Sequence, residues 1–417
     1  MFNGVNQMNN CLEVEIRSLV NEGYGFSRLP DGRAVFIPFV MPGERVVIRL
    51  VQEKKSHVMA EIVEISQPHP DRITPRCCHF GSCGGCHFQH IPYSLQLAYK
   101  QTIFQETLHR LAGIDAVEIN EVLPSADKWN YRNAMQFQLS DKGGPAYADW
   151  SSNNLFEITD CFLPMPGIDQ AWRALVVDDA VVNRIELRQN EQDDLMMVLH
   201  GSPLALPDII SEATASIVHM HANDHVVLAG DDHLFMNVLG LDFKVSAGSF
   251  FQTNFSATAH MLKTIKDIVK DLRCKLLMDV YCGVGLFSAF LAEEVSEIIA
   301  IESASSACED FADNLDRYDN ISLYQGLAEH VLPSINAKPD CTIVDPPRGG
   351  LRKPALQALM KLAPPVLIYV SCNPASLARD LNHLLQGDYQ ISSTTLVDMF
   401  PQTHHIEAVV LMSRVKE

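Results

Sequence analysis

The chain has 417 residues, of which 47% are hydrophobic, and it carries a formal net charge of −19. This length suits two or three domains, and no apolar run is long enough to span a membrane. Residues 1–10 are polar and lack the apolar core of a secretion signal, so we expect a cytoplasmic protein. In such a protein, eleven cysteines favour metal binding or catalysis over a disulfide framework.

The acidic balance, taken alone, argues against a nucleic-acid partner. Phosphate contacts need only a local basic groove, however, and a whole-chain charge can hide one. The candidate basic clusters are Arg45, Arg49, Lys54 and Lys55; Arg72 and Arg76; Lys128 and Arg132; and Arg348, Arg352 and Lys353. An ordinary solvated surface explains each cluster equally well.

Residues 11–67 alternate between short β-rich stretches and turns. Five short strands within about 55 residues predict a small barrel of the oligonucleotide-binding type. Residues 23–33, 36–39 and 42–44 resemble the TRAM domain, an RNA-binding barrel. A protein-interaction module is an equally good interpretation of a small barrel.

A cysteine-rich loop follows the predicted barrel. Its glycines allow a tight fold, so that several sulfur atoms can converge on one point. Cys83 and Cys86 form a C-x-x-C pair, and Cys77 precedes them. Because metal and iron–sulfur sites take four thiolates, a fourth ligand is needed, and locally it is Cys78 or His79. Spacing alone does not separate zinc from iron–sulfur.

Residues 93–112 repeat apolar side chains at helical spacing, and Gly113 ends the predicted helix. From residue 116 to residue 245 the pattern is mixed and predicts an α+β region. Phe250 and Phe251 then precede Gln252, a combination that offers flat apolar walls and a directed hydrogen bond to a base.

A β-loop-α-β unit begins with the strand at residues 276–280. Gly283 and Gly285 allow close backbone approach to a ligand, and Glu302, about 20 residues further on, can bind ribose hydroxyls. A nicotinamide enzyme shares this pattern, but its third glycine is replaced here by Ser288. S-adenosylmethionine fits better, because it has no pyrophosphate to hold.

Two later strands end at chemically distinctive residues. Asp345 is followed by two prolines, which hold the backbone rigid. Cys372 lies between an apolar strand and a helix that begins near Pro374. Carboxyl ends of strands face the ligand crevice in open α/β sheets, and a helix N-terminus lowers the pKa of a thiol, so Cys372 is a candidate nucleophile. A small buried apolar cysteine is the alternative.

Six segments occur in one order that resembles the RNA uracil-5-methyltransferase family: residues 77–86, 250–254, 279–285, 345–350, 371–380 and 403–407. The barrel and the cysteine loop resemble the branch that modifies large-subunit ribosomal RNA. The resemblance implies a multidomain α/β protein with an N-terminal OB-like TRAM barrel, an α+β middle domain with an iron–sulfur site, and a C-terminal Rossmann-like S-adenosylmethionine-dependent methyltransferase domain. We expect these domains at residues 11–67, at 68–92 with 115–245, and at 93–114 with 246–417.

The same resemblance implies roles for individual residues. Cys372 is the nucleophile that adds to carbon 6 of uracil, and Glu407 is the general base. The expected S-adenosylmethionine and uracil contacts are Gln252, Tyr281, Gly283, Gly285, Glu302 and Asp345. The expected ligands of a [4Fe–4S] cluster, with zinc as the second choice, are Cys77, Cys83, Cys86 and Cys161. The family often has polar residues where Leu286 and Leu327 stand.

The function expected from this resemblance is methylation of carbon 5 of a uridine in 23S ribosomal RNA. We expect a monomer that binds RNA and no membrane. Three alternatives stay open: the same reaction on transfer RNA, a noncatalytic RNA-binding iron–sulfur protein, and a nicotinamide oxidoreductase.

Overall fold

The computed structural model describes residues 11–115, 117–140, 143–152, 154–177, 181–202, 206–207, 209–210, 215–221 and 224–415. Residues 1–10, in which no secretion signal was found, lie outside this set. None of the helices in the described segments has the length and apolar composition that crossing a membrane requires.

The N-terminal part is one six-stranded sheet in the order β1–β5–β6–β4–β3–β2. Its strands are Cys11–Glu15 (β1), Ser18–Leu19 (β2), Gly25–Arg28 (β3), Ala34–Ile37 (β4), Arg45–Glu53 (β5) and His57–Gln67 (β6). Alternate side chains point inward, as the pleat requires, and Val35, Ile48 and Val58 are fully buried. The sequence predicted five strands in this region, and the sixth is the two-residue strand β2.

The middle part is built on a seven-stranded sheet in the order β10–β9–β8–β12–β13–β15–β16. The helices and strands up to this sheet and within it are Tyr93–Ala112 (α1), Glu121–Leu123 (β7), Ala134–Leu139 (β8), Pro145–Ala148 (β9), Leu155–Glu157 (β10), Pro166–Arg173 (α2), Val176–Val177 (β11), Val182–Gln189 (β12), Leu195–Gly201 (β13), Ile209–Ile210 (β14), Ser216–His221 (β15) and Asp224–Ala229 (β16). The predicted α+β character of this region is confirmed.

The C-terminal part is an eight-stranded sheet in the order β21–β20–β19–β22–β23–β25–β24–β7. Its elements, with the hairpin that precedes them, are His233–Val238 (β17), Leu241–Ser246 (β18), Phe255–Leu272 (α3), Leu276–Val280 (β19), Leu286–Leu291 (α4), Glu297–Glu302 (β20), Ser305–Leu315 (α5), Ile321–Gln325 (β21), Ala328–Val331 (α6), Cys341–Val344 (β22), Lys353–Leu362 (α7), Val366–Ser371 (β23), Pro374–Gln386 (α8), Tyr389–Val397 (β24) and Glu407–Arg414 (β25).

The strand order creates a crevice at one edge of this sheet. Strand β19 pairs in parallel with β20 on one side and with β22 on the other. Successive strands are thus added first on one side of β19 and then on the other, which makes β19 the point where the strand order reverses. Ligands of open α/β sheets bind outside the carboxyl ends of strands at such a point. Strand β7 pairs with β24, so residues 121–123 belong to this sheet although we had expected them in the middle domain.

Helix α1 is attached to the segment between β24 and β25 by a buried ion pair. Lys100 Nζ lies 2.6 Å from Asp398 Oδ1 and donates to the Phe400 carbonyl at 3.0 Å. Neither charged side chain is exposed. Because a buried charge is costly when unpaired, each of these two residues requires the other.

We expect Lys100→Met to destabilise the protein by about 3–5 kcal/mol, because it leaves the Asp398 carboxylate buried without its partner. The measurement is the denaturant midpoint of unfolding. The exposed Arg110→Met, on the same helix, is the control and should change stability by less than about 0.5 kcal/mol. The double variant Lys100→Met/Asp398→Leu should recover part of the loss. A Lys100→Met protein as stable as the parent contradicts this account.

Candidate active site

Cys372 lies between strand β23 and helix α8, where the sequence predicted it. Asn373 caps this helix, since its side chain accepts a hydrogen bond from the Ala375 amide at 3.0 Å, and Pro374 is the first helical residue. The short turn holds the half-buried thiol at the carboxyl edge of the sheet.

The electrostatics of the thiol differ from the expectation. Burial, together with the negative charges of Glu407 and Asp345, raises the pKa of the Cys372 thiol to about 12. Arg348 acts in the opposite direction but more weakly. We had expected the helix N-terminus to lower this pKa, and desolvation together with two carboxylates outweighs that effect.

Glu407 begins strand β25, next to β23, and is only 5% exposed. Burial raises the pKa of its carboxyl group well above the ordinary value, and the nearby Asp345 adds to the shift. The pKa of Asp345 is raised for the same reason, with a contribution from Asp279. A thiol and two carboxylates therefore share one desolvated pocket, which is the setting in which acid–base groups acquire unusual proton affinities.

The turn that carries Asp345 and Arg348 is fixed by Asp380. This fully buried carboxylate accepts hydrogen bonds from the Leu351 amide at 2.7 Å and from the Tyr369 hydroxyl at 2.6 Å. The side chains of Asn373 and Ser376 also donate to the Arg348 carbonyl, at 3.1 and 2.9 Å. Asp380 is thus a positioning residue, to which the sequence analysis gave no role.

The segment before Glu407 is held equally firmly. The Gln402 backbone has φ +68°, and its carbonyl accepts from the amides of His87 and Phe88, both at 3.0 Å. Gln96 of helix α1 and Gln402 exchange two hydrogen bonds of 3.0 Å. Sequence reasoning missed Gln96 and Lys100, although polar residues four apart on an apolar helix face are a detectable sign of a buried polar contact.

A glycine corner links strand β19 to helix α4. A side chain at Gly285 (φ +93°) would meet Leu315 at 2.1 Å, so only glycine fits there. The Gly283 amide donates to Glu302 Oε2 at 3.0 Å, which joins the corner to the end of β20. Tyr281, with φ +67°, lies at the same corner. The predicted cofactor residues Tyr281, Gly283, Gly285 and Glu302 are therefore neighbours.

Asp279 connects this corner to the catalytic pocket. Its carboxyl group is fully buried, one oxygen accepts from Ser288 Oγ at 2.7 Å, and the other has no partner among the described residues. Burial raises its pKa to about 7. Glu302, Asp279, Asp345 and Glu407 thus form a continuous line of electrostatic neighbours that ends at Cys372.

Gln252 lies on the loop between β18 and α3. Its carbonyl accepts from Asn133 Nδ2 at 3.0 Å, so the middle sheet holds this loop. Asn254 is the N-cap of helix α3, since its side chain accepts from the Ala257 amide at 3.2 Å. Leu286 is buried at the start of α4, whereas Leu327, which precedes α6, is 39% exposed.

The four predicted cluster cysteines gather at one place. Burial raises the pKa of the Cys86 thiol, and Cys161, Cys83 and Cys77 add to that effect, so all four thiols are electrostatic neighbours. Cys78, by contrast, is exposed, and His79 Nε2 lies 3.0 Å from Thr159 Oγ1. Distant Cys161 therefore joins the other three thiols, whereas of the two local alternatives the exposed Cys78 is, among these described thiols, an electrostatic neighbour of Cys77 only.

The spacing of these thiols bears on what they hold. Throughout the described segments, no three His, Cys, Asp or Glu side chains stand in positions to bind a single metal ion. The Gly85 amide donates to Cys83 Sγ at 3.3 Å, which is the kind of contact that stabilises a thiolate.

Family models match two parts of the chain. Residues 209–415 match the model described as tRNA (Uracil-5-)-methyltransferase. Residues 12–70 match the model described as the TRAM domain of tRNA (uracil(54)-C(5))-methyltransferase. The N-terminal sheet is therefore a TRAM domain, as its sequence predicted.

Individual relatives extend over nearly the whole chain. An RNA methyltransferase of Aquifex aeolicus is 31% identical, with 96% of this chain and 98% of the relative covered. One of Halalkalibacterium halodurans is 29% identical, with 97% of each chain covered. The crystal structure of Pyrococcus abyssi tRNA (uracil-54, C5)-methyltransferase with S-adenosyl-L-homocysteine has the same fold, with a TM-score of 0.74, 23% identity, and 96% of this chain and 100% of that chain covered. The chain thus belongs to the RNA (uracil-5-)-methyltransferase family.

Proposed function

We propose that this protein methylates carbon 5 of a uridine in large-subunit ribosomal RNA through a covalent bond between Cys372 and the base. The observation that carries the proposal is the convergence of Cys372, Glu407 and Asp345 in one desolvated pocket. Family membership supplies the reaction class, and the pocket supplies the groups that the reaction needs.

Carbon 5 of uracil is a poor nucleophile until a group adds to carbon 6. Cys372 Sγ forms that bond, and the electron pair of the ring double bond moves onto the C4 carbonyl to give an enolate. After carbon 5 has taken the methyl group, Glu407 accepts the proton of carbon 5. The double bond then reforms, and Cys372 leaves as a thiolate.

The raised pKa of Glu407 suits this role. A carboxylate with a higher pKa binds a proton more strongly, so it is a better base for a carbon acid than a surface glutamate. Arg348 lies at the same pocket, and its guanidinium is 3.0 Å from both ring nitrogens of His405. This cation stabilises the thiolate form of Cys372 against the surrounding carboxylates.

S-adenosylmethionine supplies the methyl group when bound. The residues present fit it: the space beside Gly283 at the glycine corner is open to close approach, Glu302 accepts from the Gly283 amide, and one oxygen of the buried Asp279 has no partner among the described residues. Tyr281 belongs to the same corner. Gln252 and Asp345 orient the uracil or the methionyl end of the donor.

Cys77, Cys83, Cys86 and Cys161 hold a [4Fe–4S] cluster in this proposal. Four neighbouring thiols are the number of ligands that a [4Fe–4S] cluster takes, and the resemblance to the cluster-binding motif favours it over zinc. The methylation moves no net electrons, so the cluster serves folding and RNA docking: its loop donates the His87 and Phe88 amides to the segment that leads to Glu407.

Transfer RNA is the second candidate substrate. It is favoured by the solved structure with the same fold, whose name specifies uridine 54 of transfer RNA. The descriptions of the two matching family models also name transfer RNA methyltransferases. The cysteine loop, whose spacing resembles the ribosomal branch, favours ribosomal RNA.

The first test is methyl transfer from labelled S-adenosylmethionine to unmodified ribosomal and transfer RNA. We expect 5-methyluridine in ribosomal RNA and none with Cys372→Ala. Glu407→Gln should slow turnover by about 10²–10⁴-fold and accumulate a covalent protein–RNA adduct, because methylated product then keeps its carbon 5 proton. Label in transfer RNA alone overturns the substrate, and full turnover by Glu407→Gln overturns the base.

The second test uses the charges around the thiol. Alkylation of Cys372 by iodoacetamide, followed by mass spectrometry of its peptide, should accelerate as pH rises, since the thiolate is the reactive form. Glu407→Gln should shift the profile to lower pH by about one unit, and Arg348→Met should shift it to higher pH. Equal profiles for the three proteins would show that these charges do not act on Cys372.

The third test is metal content after anaerobic purification. We expect about four iron atoms per chain with the visible absorption of a cluster. Cys161→Ser should lose the iron, whereas the matched variant Cys78→Ser should keep it. A content of about one zinc atom and no iron would show that the site binds a single zinc ion instead of a cluster. If Cys161→Ser retains its iron, Cys161 is not a ligand.

A further inference from the structure

A second cavity lies between the middle sheet and the loop that carries Gln252. Its volume is about 500 Å³, within the range of about 300–1,000 Å³ usual for ligand sites. One wall comes from strands β8, β12 and β13, and the opposite wall is formed by residues 247–251 and 253. Cys372, Glu407, Asp345 and Gln252 do not line it, so it is distinct from the pocket described above.

Four polar groups along this cavity lack partners within the protein. They are buried atoms with no hydrogen bond among the described residues: Arg132 Nε, His200 Nε2, Ser249 Oγ and Thr253 Oγ1. Buried polar atoms are normally hydrogen-bonded, and leaving one unpaired costs about 1–3 kcal/mol. These four groups belong to residues that line one cavity, so its wall is polar and suits a ligand that is rich in oxygen atoms.

The charge of the cavity is positive although the whole chain is acidic. Its carboxylate, Glu186, is already paired with Arg188, whose other nitrogens donate to the carbonyls of Ser246 and Ala247 at 2.9 and 3.0 Å. Arg132 and Arg184 have no carboxylate within 4.0 Å in the described part of the chain. Two guanidinium groups are therefore available to an anion, and guanidinium geometry suits phosphate.

The rim of the cavity carries a flat apolar surface. Phe250 is 70% exposed, the most exposed of the large hydrophobic side chains in the described residues. Its neighbour Phe251 is buried against the core, so the backbone that carries Phe250 is anchored. Exposed aromatic rings beside a basic groove are the usual platform for an unpaired base.

The cavity and the catalytic pocket share one loop. Asn133 of the middle part donates its backbone amide to the Thr253 carbonyl and its side chain to the Gln252 carbonyl, each at 3.0 Å. Gln252 lies between Phe251 and Thr253, which both line the cavity. A nucleotide in the cavity and a uracil at Gln252 therefore contact the same short segment, which suits adjacent nucleotides of one RNA strand.

We propose that this cavity binds a nucleotide that flanks the target uridine, with its phosphate on Arg132 and Arg184 and its base against Phe250. The proposal rests on the proposed function, because it takes RNA to be the substrate. Under this proposal, an acidic protein binds RNA phosphate in the cleft between its middle sheet and the loop at residues 247–253. Anchoring the neighbouring nucleotide there holds the strand while the target uridine leaves its stack.

The test is equilibrium binding of a fluorescently labelled single-stranded oligouridylate to the Cys372→Ala protein without methyl donor, from about 50 to about 200 mM salt. Arg184→Met and Arg132→Met should each weaken binding and reduce the slope of log K against log salt by about one. Phe250→Ala should weaken binding about tenfold and leave the slope unchanged, since stacking releases no counterions.

Arg317→Met is the matched control, because Arg317 is exposed and stacks on Tyr318 outside the cavity. It should leave both affinity and slope at the parent values. Arg184 and Phe250 are exposed, so their variants report on binding even if Arg132→Met fails to fold. Unchanged slopes for Arg184→Met and unchanged affinity for Phe250→Ala overturn the proposal.

The binding assay is independent of methyl transfer. If the variants show the expected slopes but the protein methylates neither RNA, the cavity remains an RNA site and the proposed function is wrong. If the protein methylates RNA but both arginine variants bind with the parent salt slope, the proposed function stands and the assignment of the cavity is wrong.

Discussion

The buried pair of Lys100 and Asp398 is the contact on which the catalytic edge depends. It joins helix α1 to the segment between the last two strands, and both side chains are fully buried. The adjacent exchange of hydrogen bonds between Gln96 and Gln402 continues the same attachment. This segment leads directly to Glu407, the proposed general base, and such a base works only at a fixed distance from its proton.

The catalytic pocket concentrates like charges in a place that water hardly reaches. Burial raises the pKa values of Asp279, Asp345 and Glu407, with Asp279 adding to the shift of Asp345 and Asp345 to that of Glu407. Burial, Glu407 and Asp345 in turn raise the pKa of Cys372. Such an arrangement costs stability and is maintained by the surrounding fold, above all by the clamp at Asp380. The result is a site whose groups bind protons more strongly than the same side chains do at the surface.

The acidic composition and the RNA substrate are compatible because charge is distributed unevenly. Most predicted basic clusters are occupied in the fold: Arg72 pairs with the buried Glu44, and Arg49 pairs with Glu61. Arg132 has no carboxylate partner among the described residues and lines the cleft beside the Gln252 loop, although it is also an electrostatic neighbour of the Cys86 and Cys161 thiols. Local position, rather than total charge, therefore decides where phosphate is bound.

The sequence by itself determined the local units: strand–turn–helix at Cys372, the glycine corner at Gly283 and Gly285, and helix α1 ending at Gly113, because turn and cap chemistry act over a few residues. The tertiary structure alone decided the rest. It brought Cys161 to the other cysteines, added β7 to the last sheet and raised the Cys372 pKa to about 12. These outcomes depend on burial and on contacts between residues distant in the chain, which no local pattern encodes.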